Sequence, residues 1–264
     1  MLFNACNCLP PSSGVSRRDL ICCAGVGFVS ALVGTLAGSG RVARAQALGS
    51  DVPEVDRLAV TVVTDTQIIK FIPTEKRNDL TIERRPAGNV RPDAPPRADL
   101  VGEWGLSMHA QSQRGSELRN VLIDFGYMPE TINNNFSVLR LDPAEIDAFV
   151  LSHGHYDHFG GLTGFLAANK GKLKRKLPFF VGGEDCFCTR ETPAGQYGSL
   201  DRKAIMDADL ELMLAEGPAV VAEHAFTTGK IAQTSFEKPL RPSSVRMLSR
   251  QGLTGEEQGH VYPG

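Results

Sequence analysis

The 264-residue sequence lacks the fingerprints of the common nucleotide-binding folds, and it has no internal repeat. No P-loop and no Gly-x-Gly-x-x-Gly stretch between a strand and a helix is present, which argues against P-loop and Rossmann-type enzymes. An excess of charge of one sign is also missing, since 28 basic and 30 acidic residues give a formal net charge of −2. This balance argues against a general nucleic-acid binder.

Cysteine is scarce after residue 23, where only Cys186 and Cys188 remain of the six in the chain. A Cys-x-Cys pair is too close in sequence for a relaxed disulfide. The pair is therefore either a soft metal site or two partly buried thiols, and the second alternative is favoured.

The N-terminus has the pattern of an export signal. Ser16-Arg17-Arg18-Asp19-Leu20 is a twin-arginine motif, an apolar stretch runs over 20–37, and Ala43-Arg44-Ala45 fits a cleavage site. The alternative is an uncleaved membrane anchor, because the stretch approaches spanning length. We expect a signal peptide over 1–45, a single domain over 46–264, the twin-arginine machinery as a partner, and a periplasmic protein without a stable anchor.

The most informative stretch is residues 153–158, which holds three of the six histidines and one aspartate. Imidazole nitrogens and carboxylate oxygens suit zinc and its first-row neighbours. The stretch follows the apolar run 148–152 and precedes a helix-like segment, so it lies where an open α/β sheet gathers its ligands. The pattern predicts a metal site made by His153, His155, Asp157 and His158.

The spacing within this motif suggests how two ions are shared. His153 and His155 are two residues apart, so in extended backbone their rings point the same way and can hold one metal. Asp157 and His158 follow after the chain turns, and can hold a second metal nearby.

His-x-His-x-Asp-His after an apolar strand, followed by Gly160-Gly161-Leu162, resembles the metallo-β-lactamase-fold hydrolases. The run 120–126, with Asp124 and Gly126, resembles the family strand whose aspartate supports the metal loop from behind. The resemblance implies an α/β fold, the αββα sandwich of that family. It also implies two divalent ions, zinc first, with manganese or iron as alternatives.

Three phrases are similar to a subgroup of dihydropterin synthases of the ribofuranosyl-aminobenzene phosphate type. They are residues 103–107, residues 151–162, and Thr228-Gly229-Lys230-Ile231 followed by Phe236-Glu237. The similarity covers roughly residues 58–237.

The function that the resemblance implies is an exported metal-dependent hydrolase of an ester, lactone or phosphoester-type small molecule. Asp157 is then the catalytic residue, because it orients the attacking water as well as binding metal. A dihydropterin synthase-like transferase is one alternative, and a truncated metal-binding domain without turnover is another.

Members of the resembled family complete their site with later histidines and an aspartate. Only His224 and His260 follow the motif here. His224 is either a ligand or a pocket histidine, with the second favoured, and His260 is expected in an untethered tail. We therefore expect the front portion of the sandwich, with the second-half ligand strands missing.

Hydrophobic patterning predicts the remaining elements. Asp142 and Pro143 predict a helix start. The proline-rich segment 71–100 predicts a long irregular loop, either a lid or a solvated insertion. The basic run 172–176 predicts a solvated helix end, with a phosphate-binding patch as the alternative. Strands are predicted at 58–64, 105–110, 119–124, 148–152, 177–182 and 219–222, and helices at 162–169 and 204–215.

Overall fold

The computed structural model describes residues 43–44, 47, 49, 52–69, 73–83, 93, 98–192, 195–231, 244–247 and 261–262. The predicted signal peptide lies outside these residues apart from 43–44, and so does His260. No helix within the described residues is long and apolar enough to cross a membrane.

The described chain forms fifteen strands, four α-helices and two 3₁₀ turns. The strands are β1 Ala43–Arg44, β2 Arg57–Thr64, β3 Glu75–Arg77, β4 Leu80–Ile82, β5 Ser107–Arg114, β6 Glu117–Ile123, β7 Ala148–Val150, β8 Leu177–Val181, β9 Cys188–Thr192, β10 Gly195–Tyr197, β11 Leu210–Leu214, β12 Ala219–Val221, β13 Ala225–Thr227, β14 Ser244–Met247 and β15 Val261–Tyr262. The helices are α1 Pro129–Leu139, α2 Tyr156–Phe159, α3 Leu162–Ala168 and α4 Arg202–Asp207, with 3₁₀ turns at Pro143–Glu145 and Glu184–Phe187.

A seven-stranded sheet in the order β1-β11-β8-β7-β6-β5-β2 forms the centre of the fold. Strands β1, β11, β8, β7 and β6 run parallel, whereas β5 pairs antiparallel with β6 and β2 pairs antiparallel with β5. The carboxyl ends of the five parallel strands therefore meet at one edge of the sheet, which we call the site edge. The mixed α/β fold expected from the sequence is confirmed.

One side of the sheet, which we call the helix face, packs against the helices. Phe125, Phe149, Phe165 and Phe179 are fully buried there. Their rings meet edge to face, with centroids 5.2 Å apart for Phe125 and Phe149 and 5.7 Å for Phe125 and Phe179. Burying such aromatic side chains supplies much of the hydrophobic stabilisation of a domain core. This face gives the site edge a rigid support.

The opposite side, the outer face, is only partly covered in the described chain. Val121 and Phe180 are buried on it, in one cluster with Ala219 and Val221 of the β12–β13 hairpin. By contrast, Leu58, Val60 and Val62 of β2 are each more than half exposed. Strand alternation explains the difference from Val63, which points to the helix face and is buried.

Most of the predicted elements are present. The predicted strands at 58–64, 148–152, 177–182 and 219–222 appear as β2, β7, β8 and β12, and the helix at 162–169 appears as α3. The predicted helix start at Asp142 is confirmed as a 3₁₀ turn, since the Asp142 carboxylate accepts a hydrogen bond from the Ala144 N–H at 2.9 Å. The predicted strands at 105–110 and 119–124 appear as β5 and β6 with shifted ends.

The predicted helix at 204–215 is wrong in its second half. Helix α4 ends at Asp207, and Asp209 adopts a left-handed φ of 56°, which stops the helical path. Leu210 and Leu212 then alternate inward as part of β11, which pairs in parallel with β8. Over this short stretch the spacing of apolar residues fits both the helical period and the strand period. Pairing with the neighbouring strand β8 favours the strand.

The predicted irregular loop at 71–100 is also partly wrong. Residues 75–82 form the β3–β4 hairpin around Asn78, whose φ is 48°. The other residues of the segment lie largely outside the described chain, so the lid and insertion alternatives stay predictions.

Gly161 lies below the site edge, where the start of α3 crosses the turn after β6. A Cβ at this position would collide with the carbonyl oxygen of Phe125. The α3 start and the turn after β6 can therefore touch only because residue 161 has no side chain.

We predict that Gly161→Ala destabilises the fold by about 1–3 kcal/mol, because the turn at 124–126 must move away. Gly217→Ala is the matched control, since a Cβ there meets nothing within 4 Å. Urea unfolding of both variants measures the difference, and equal stabilities would contradict the crossing that the structure describes.

Candidate metal centre

The predicted ligands lie together at the site edge. Asp124 follows β6 directly, and residues 153–158 follow β7, its parallel neighbour. Asp157 and His158 lie on the short helix α2, which begins one residue after His155. The structure thus brings the predicted side chains together from a strand end and the helix that follows it.

Asp124 is the polar centre of this arrangement. Its carboxylate is fully buried and accepts hydrogen bonds from the Ser152 N–H and the Ser152 hydroxyl, both at 2.7 Å. The Nδ1 of His158 lies 2.6 Å from the same carboxylate. A carboxylate behind a histidine fixes the ring tautomer and leaves the other nitrogen to face a metal. The supporting role that the resemblance implied for Asp124 agrees with these contacts.

His153 and His155 face each other across the motif. The Nε2 of His153 lies 2.8 Å from the Nδ1 of His155, and the ring centroids are 4.4 Å apart. The Nδ1 of His153 lies 3.0 Å from the Ser152 hydroxyl. The His158 ring is 4.2 Å from the His153 ring, so three imidazoles form one compact group.

Asp157 and His158 form an ion pair inside this group. The Nε2 of His158 is 3.5 Å from an Asp157 carboxylate oxygen. Burial alone would lower the pKa of His158, but the hydrogen bonds to Asp124 and Asp157 outweigh it and raise the pKa to about 9. Burial opposes ionisation of Asp157 too, yet its bond to His158 keeps the pKa of that carboxyl below the usual value.

The donor set fits a divalent transition metal. Three imidazole nitrogens and a carboxylate oxygen are zinc-type ligands. In the structure they approach one another in two pairs, His153 with His155 and Asp157 with His158. Two nitrogens on one tetrahedral zinc lie about 3.3 Å apart, so His153 and His155 need a slight rotation from their direct contact. As it stands, the described part of the chain has no group of three or more potential ligands already spaced to enclose an ion.

Two other segments, residues 103–106 and the turn after β6, hold the motif backbone through hydrogen bonds. The Leu106 N–H donates to the Asp157 carbonyl at 3.2 Å, and the Phe125 N–H donates to the His158 carbonyl at 2.7 Å. Gly105 allows this contact, because a Cβ there would lie 2.8 Å from the Asp157 carbonyl oxygen. The Glu103 carboxylate also accepts from the Tyr127 N–H at 2.7 Å, which ties this segment to the turn after β6.

An aromatic row borders the motif. Trp104, Tyr127 and Tyr156 lie in series, with ring centroids 5.8 Å and 4.9 Å apart. Trp104 is 60% exposed and is the only tryptophan of the chain, so its fluorescence reports on the surroundings of the motif.

Sequence reasoning missed Ser152 and Glu103 as parts of the site. Ser152 lies between Asp124 and two histidine rings, and Glu103 accepts two backbone N–H groups of the turn after β6. The position of Ser152 between an apolar strand and the motif was an available signal. Glu103 belongs to a phrase that resembles the subgroup, but its contacts could not be inferred because its partners are more than twenty residues away.

The other candidate side chains do not join the motif. His224 is buried on the outer face, where its Nδ1 lies 3.1 Å from the Ser112 hydroxyl and its Nε2 lies 3.5 Å from Glu117. These contacts agree with the pocket-histidine alternative. Cys186 and Cys188 are both buried, in agreement with the interpretation of the pair as two buried thiols.

The basic run 172–176 lies at the opposite edge of the sheet, because it precedes β8 rather than following it. Lys174 pairs with Asp147 at 2.6 Å, and Arg175 pairs with Asp209 at 3.3 Å. Its position and pairing favour the solvated-end alternative over a phosphate patch beside the motif.

The family profile of the metallo-beta-lactamase superfamily matches residues 115–175. This stretch includes β6, α1, β7 and all four predicted ligands. The family resemblance inferred from the sequence is confirmed.

A curated relative from Methanocaldococcus jannaschii, a 7,8-dihydropterin-6-methyl-4-(beta-D-ribofuranosyl)-aminobenzene-5'-phosphate synthase, is 32% identical over 79 residues. The match covers 30% of this chain and about a quarter, 26%, of the relative. The activity that this name gives is a property of the relative.

Two solved structures show weaker likenesses. A subclass B3 metallo-beta-lactamase from a soil metagenome library is 14% identical with a TM-score of 0.28. The match covers 60% of this chain and 53% of the lactamase chain. A diphosphatase of the PhnP family is 15% identical with a TM-score of 0.31. The match covers 79% of this chain and 63% of the diphosphatase chain. At these TM-scores the likenesses carry no argument about function.

We predict that Asp124→Asn lowers zinc affinity about 10- to 100-fold, because an amide nitrogen cannot accept the His158 proton. Asp147→Asn is the matched control. It lies at the opposite end of β7, and also accepts a backbone N–H, from Asn120 at 2.7 Å. Competition with a chromophoric zinc chelator measures both affinities, and an equal loss in the two variants would rule out a specific role for Asp124.

Proposed function

We propose that this protein is a metal-dependent hydrolase that uses an activated water on a small ester, lactone or phosphoester. The observation that carries the proposal is the convergence of three imidazoles and one carboxylate at the site edge, with His158 fixed from behind by the buried Asp124. A structural histidine cluster has no need of a buried carboxylate that orders one ring.

In this proposal His153 and His155 hold one ion, whereas Asp157 and His158 hold the other. Zinc is the first choice, with manganese or iron as alternatives. Bound divalent ions supply Lewis acidity and lower the pKa of a coordinated water toward neutrality. Asp157 remains a carboxylate, since its pKa is lowered, and can accept a hydrogen bond from the attacking water and so orient it.

A synthase-type transfer on a dihydropterin precursor is the second candidate. The 32% identity over 79 residues to the Methanocaldococcus jannaschii synthase favours it. Because a shared fold hosts many chemistries, we rank this candidate below hydrolysis. Consumption of a pterin precursor without release of a hydrolysis product would favour the transferase.

We predict that the purified chain binds two zinc ions and hydrolyses bis(p-nitrophenyl) phosphate or p-nitrophenyl acetate. His155→Ala should lower the turnover at least about 100-fold, since even groups behind the ligands are worth 10- to 100-fold. Elemental analysis after dialysis and initial rates of nitrophenol release measure the two properties.

His260→Ala is the control, because it also removes one histidine but lies outside the motif. One weakly held ion without turnover in the unaltered chain would instead support a metal-binding domain that does not catalyse. Quenching of Trp104 by bound Co²⁺ offers a separate test that the ion occupies the motif, since Trp104 borders it.

We also propose that the protein acts in the periplasm, on the basis of the twin-arginine motif and the apolar stretch that follows it. We predict that the double variant Arg17→Lys, Arg18→Lys retains the full chain in the bacterial cytoplasm, although its charge is unchanged. The double variant Arg41→Lys, Arg44→Lys alters two other arginines of the segment and should leave export intact. Immunoblots of periplasmic and cytoplasmic fractions distinguish the two, and equal export would overturn this assignment.

A further inference from the structure

The Ser152 hydroxyl lies between the buried Asp124 carboxylate and the ring of His153. Its Oγ is 2.7 Å from Oδ2 of Asp124 and 3.0 Å from Nδ1 of His153. The Ser152 N–H donates to the other carboxylate oxygen, Oδ1, also at 2.7 Å. Because one carboxylate accepts from both the backbone and the side chain of Ser152, the direction of the hydroxyl is fixed.

The direction of each hydrogen bond follows from the protons that the three groups carry. A carboxylate oxygen only accepts, so the Ser152 hydroxyl must donate its single proton to Asp124. The hydroxyl oxygen can then only accept at its contact with His153, which requires a proton on Nδ1 of that ring. A neutral imidazole has one ring proton, so Nε2 of His153 is the unprotonated nitrogen.

The contact on the other side of the His153 ring agrees with this assignment. Nε2 of His153 lies at hydrogen-bonding distance, 2.8 Å, from Nδ1 of His155. One of the two nitrogens must supply a proton, and the Ser152 contact leaves His155 as the donor. Nε2 of His153 is therefore an acceptor, which is the state that a metal ligand needs.

The third neighbour of the hydroxyl leaves these directions unchanged. Nδ1 of His158 is 3.4 Å from Oγ of Ser152 but only 2.6 Å from Oδ2 of Asp124, so its proton goes to the carboxylate. The same oxygen of Asp124 thus directs two rings, His158 by direct contact and His153 through Ser152.

We propose that Ser152 is a positioning residue of the candidate metal centre, which holds the His153 proton on Nδ1 and keeps Nε2 ready to bind a divalent ion. The inference rests on the metal site of the proposed function, but it does not depend on which reaction the site catalyses. Partners that orient a histidine ligand from behind contribute about 10- to 100-fold in metal affinity.

Substitutions at Ser152 test the proposal without any measurement of activity. Ser152→Ala removes the hydroxyl but keeps the backbone N–H that Asp124 accepts, and should bind zinc about 10- to 100-fold more weakly. Ser152→Thr restores a hydroxyl and should recover most of the affinity. Ser112→Ala is the matched control, because it removes a hydroxyl that contacts Nδ1 of His224 at 3.1 Å, away from the motif. Titration calorimetry with zinc measures all of these affinities.

The position of the proton can be measured in the unaltered, metal-free chain, which keeps the test independent of variant folding. Long-range ¹H–¹⁵N correlation spectra distinguish protonated from unprotonated ring nitrogens. We expect protonated Nδ1 and unprotonated Nε2 for neutral His153 in the unaltered chain and in Ser152→Thr, and a mixture of both tautomers in Ser152→Ala.

Two results would overturn the proposal: a His153 proton on Nε2 in the unaltered chain, or a loss of zinc affinity in Ser112→Ala equal to that in Ser152→Ala. The expected proton position and affinities without turnover of either nitrophenyl ester would support the role of Ser152 and contradict the hydrolase assignment alone.

Discussion

The buried carboxylate of Asp124 is the interaction on which the candidate metal centre depends. An ionised carboxylate without partners is costly to bury, but this one accepts two hydrogen bonds from Ser152 and a third from His158. All three donors belong to the segment after β7, whereas Asp124 follows β6. The carboxylate therefore joins two adjacent strand ends and sets the orientation of His158. Asp124 itself adopts a left-handed φ of 60°, so the turn holds its side chain inward at some cost in backbone energy.

The helix face of the sheet is fully covered, whereas the outer face is covered only in part within the described chain. The candidate metal centre is supported by the helix face. The phenylalanine cluster of the helix face lies directly below the strand ends that carry Asp124 and the motif. Close packing of this kind resists displacement, so the positions of the strand ends are well defined. The outer face is covered over Val121 and Phe180 but exposed over β2. The buried His224, with its contacts to Ser112 and Glu117, lies on this face.

Much of the geometry of the candidate site was predictable from sequence because its signals are local. The four predicted ligands lie within six residues, and the apolar run before them identifies a strand end. The missed features depend on contacts between distant segments. Glu103 contacts the turn at Tyr127, and His224 contacts Ser112 on another strand.

Two secondary-structure elements were also missed. Leu210 and Leu212 were assigned to a helix because the spacing of apolar residues over a few positions fits both a helix and a strand. Only the pairing of this segment with β8 identifies it as a strand. Helix α1 was not predicted at all, although Pro129 and the spacing of Ile132, Phe136 and Leu139 were available signals.

The candidate metal centre combines a fixed backbone with side chains that still have to adjust. Hydrogen bonds from Leu106 and Phe125 hold the carbonyls of Asp157 and His158, so the motif backbone is tied on both sides. The rings of His153 and His155 touch directly at 2.8 Å and must separate slightly to share an ion. His158 is already oriented by Asp124, but its Nε2 faces Asp157 and must give up its proton before it can bind an ion. An ion that tolerates the resulting tetrahedral arrangement of nitrogen and oxygen donors is favoured over one that demands six oxygens, which is the physical basis for ranking zinc above magnesium or calcium.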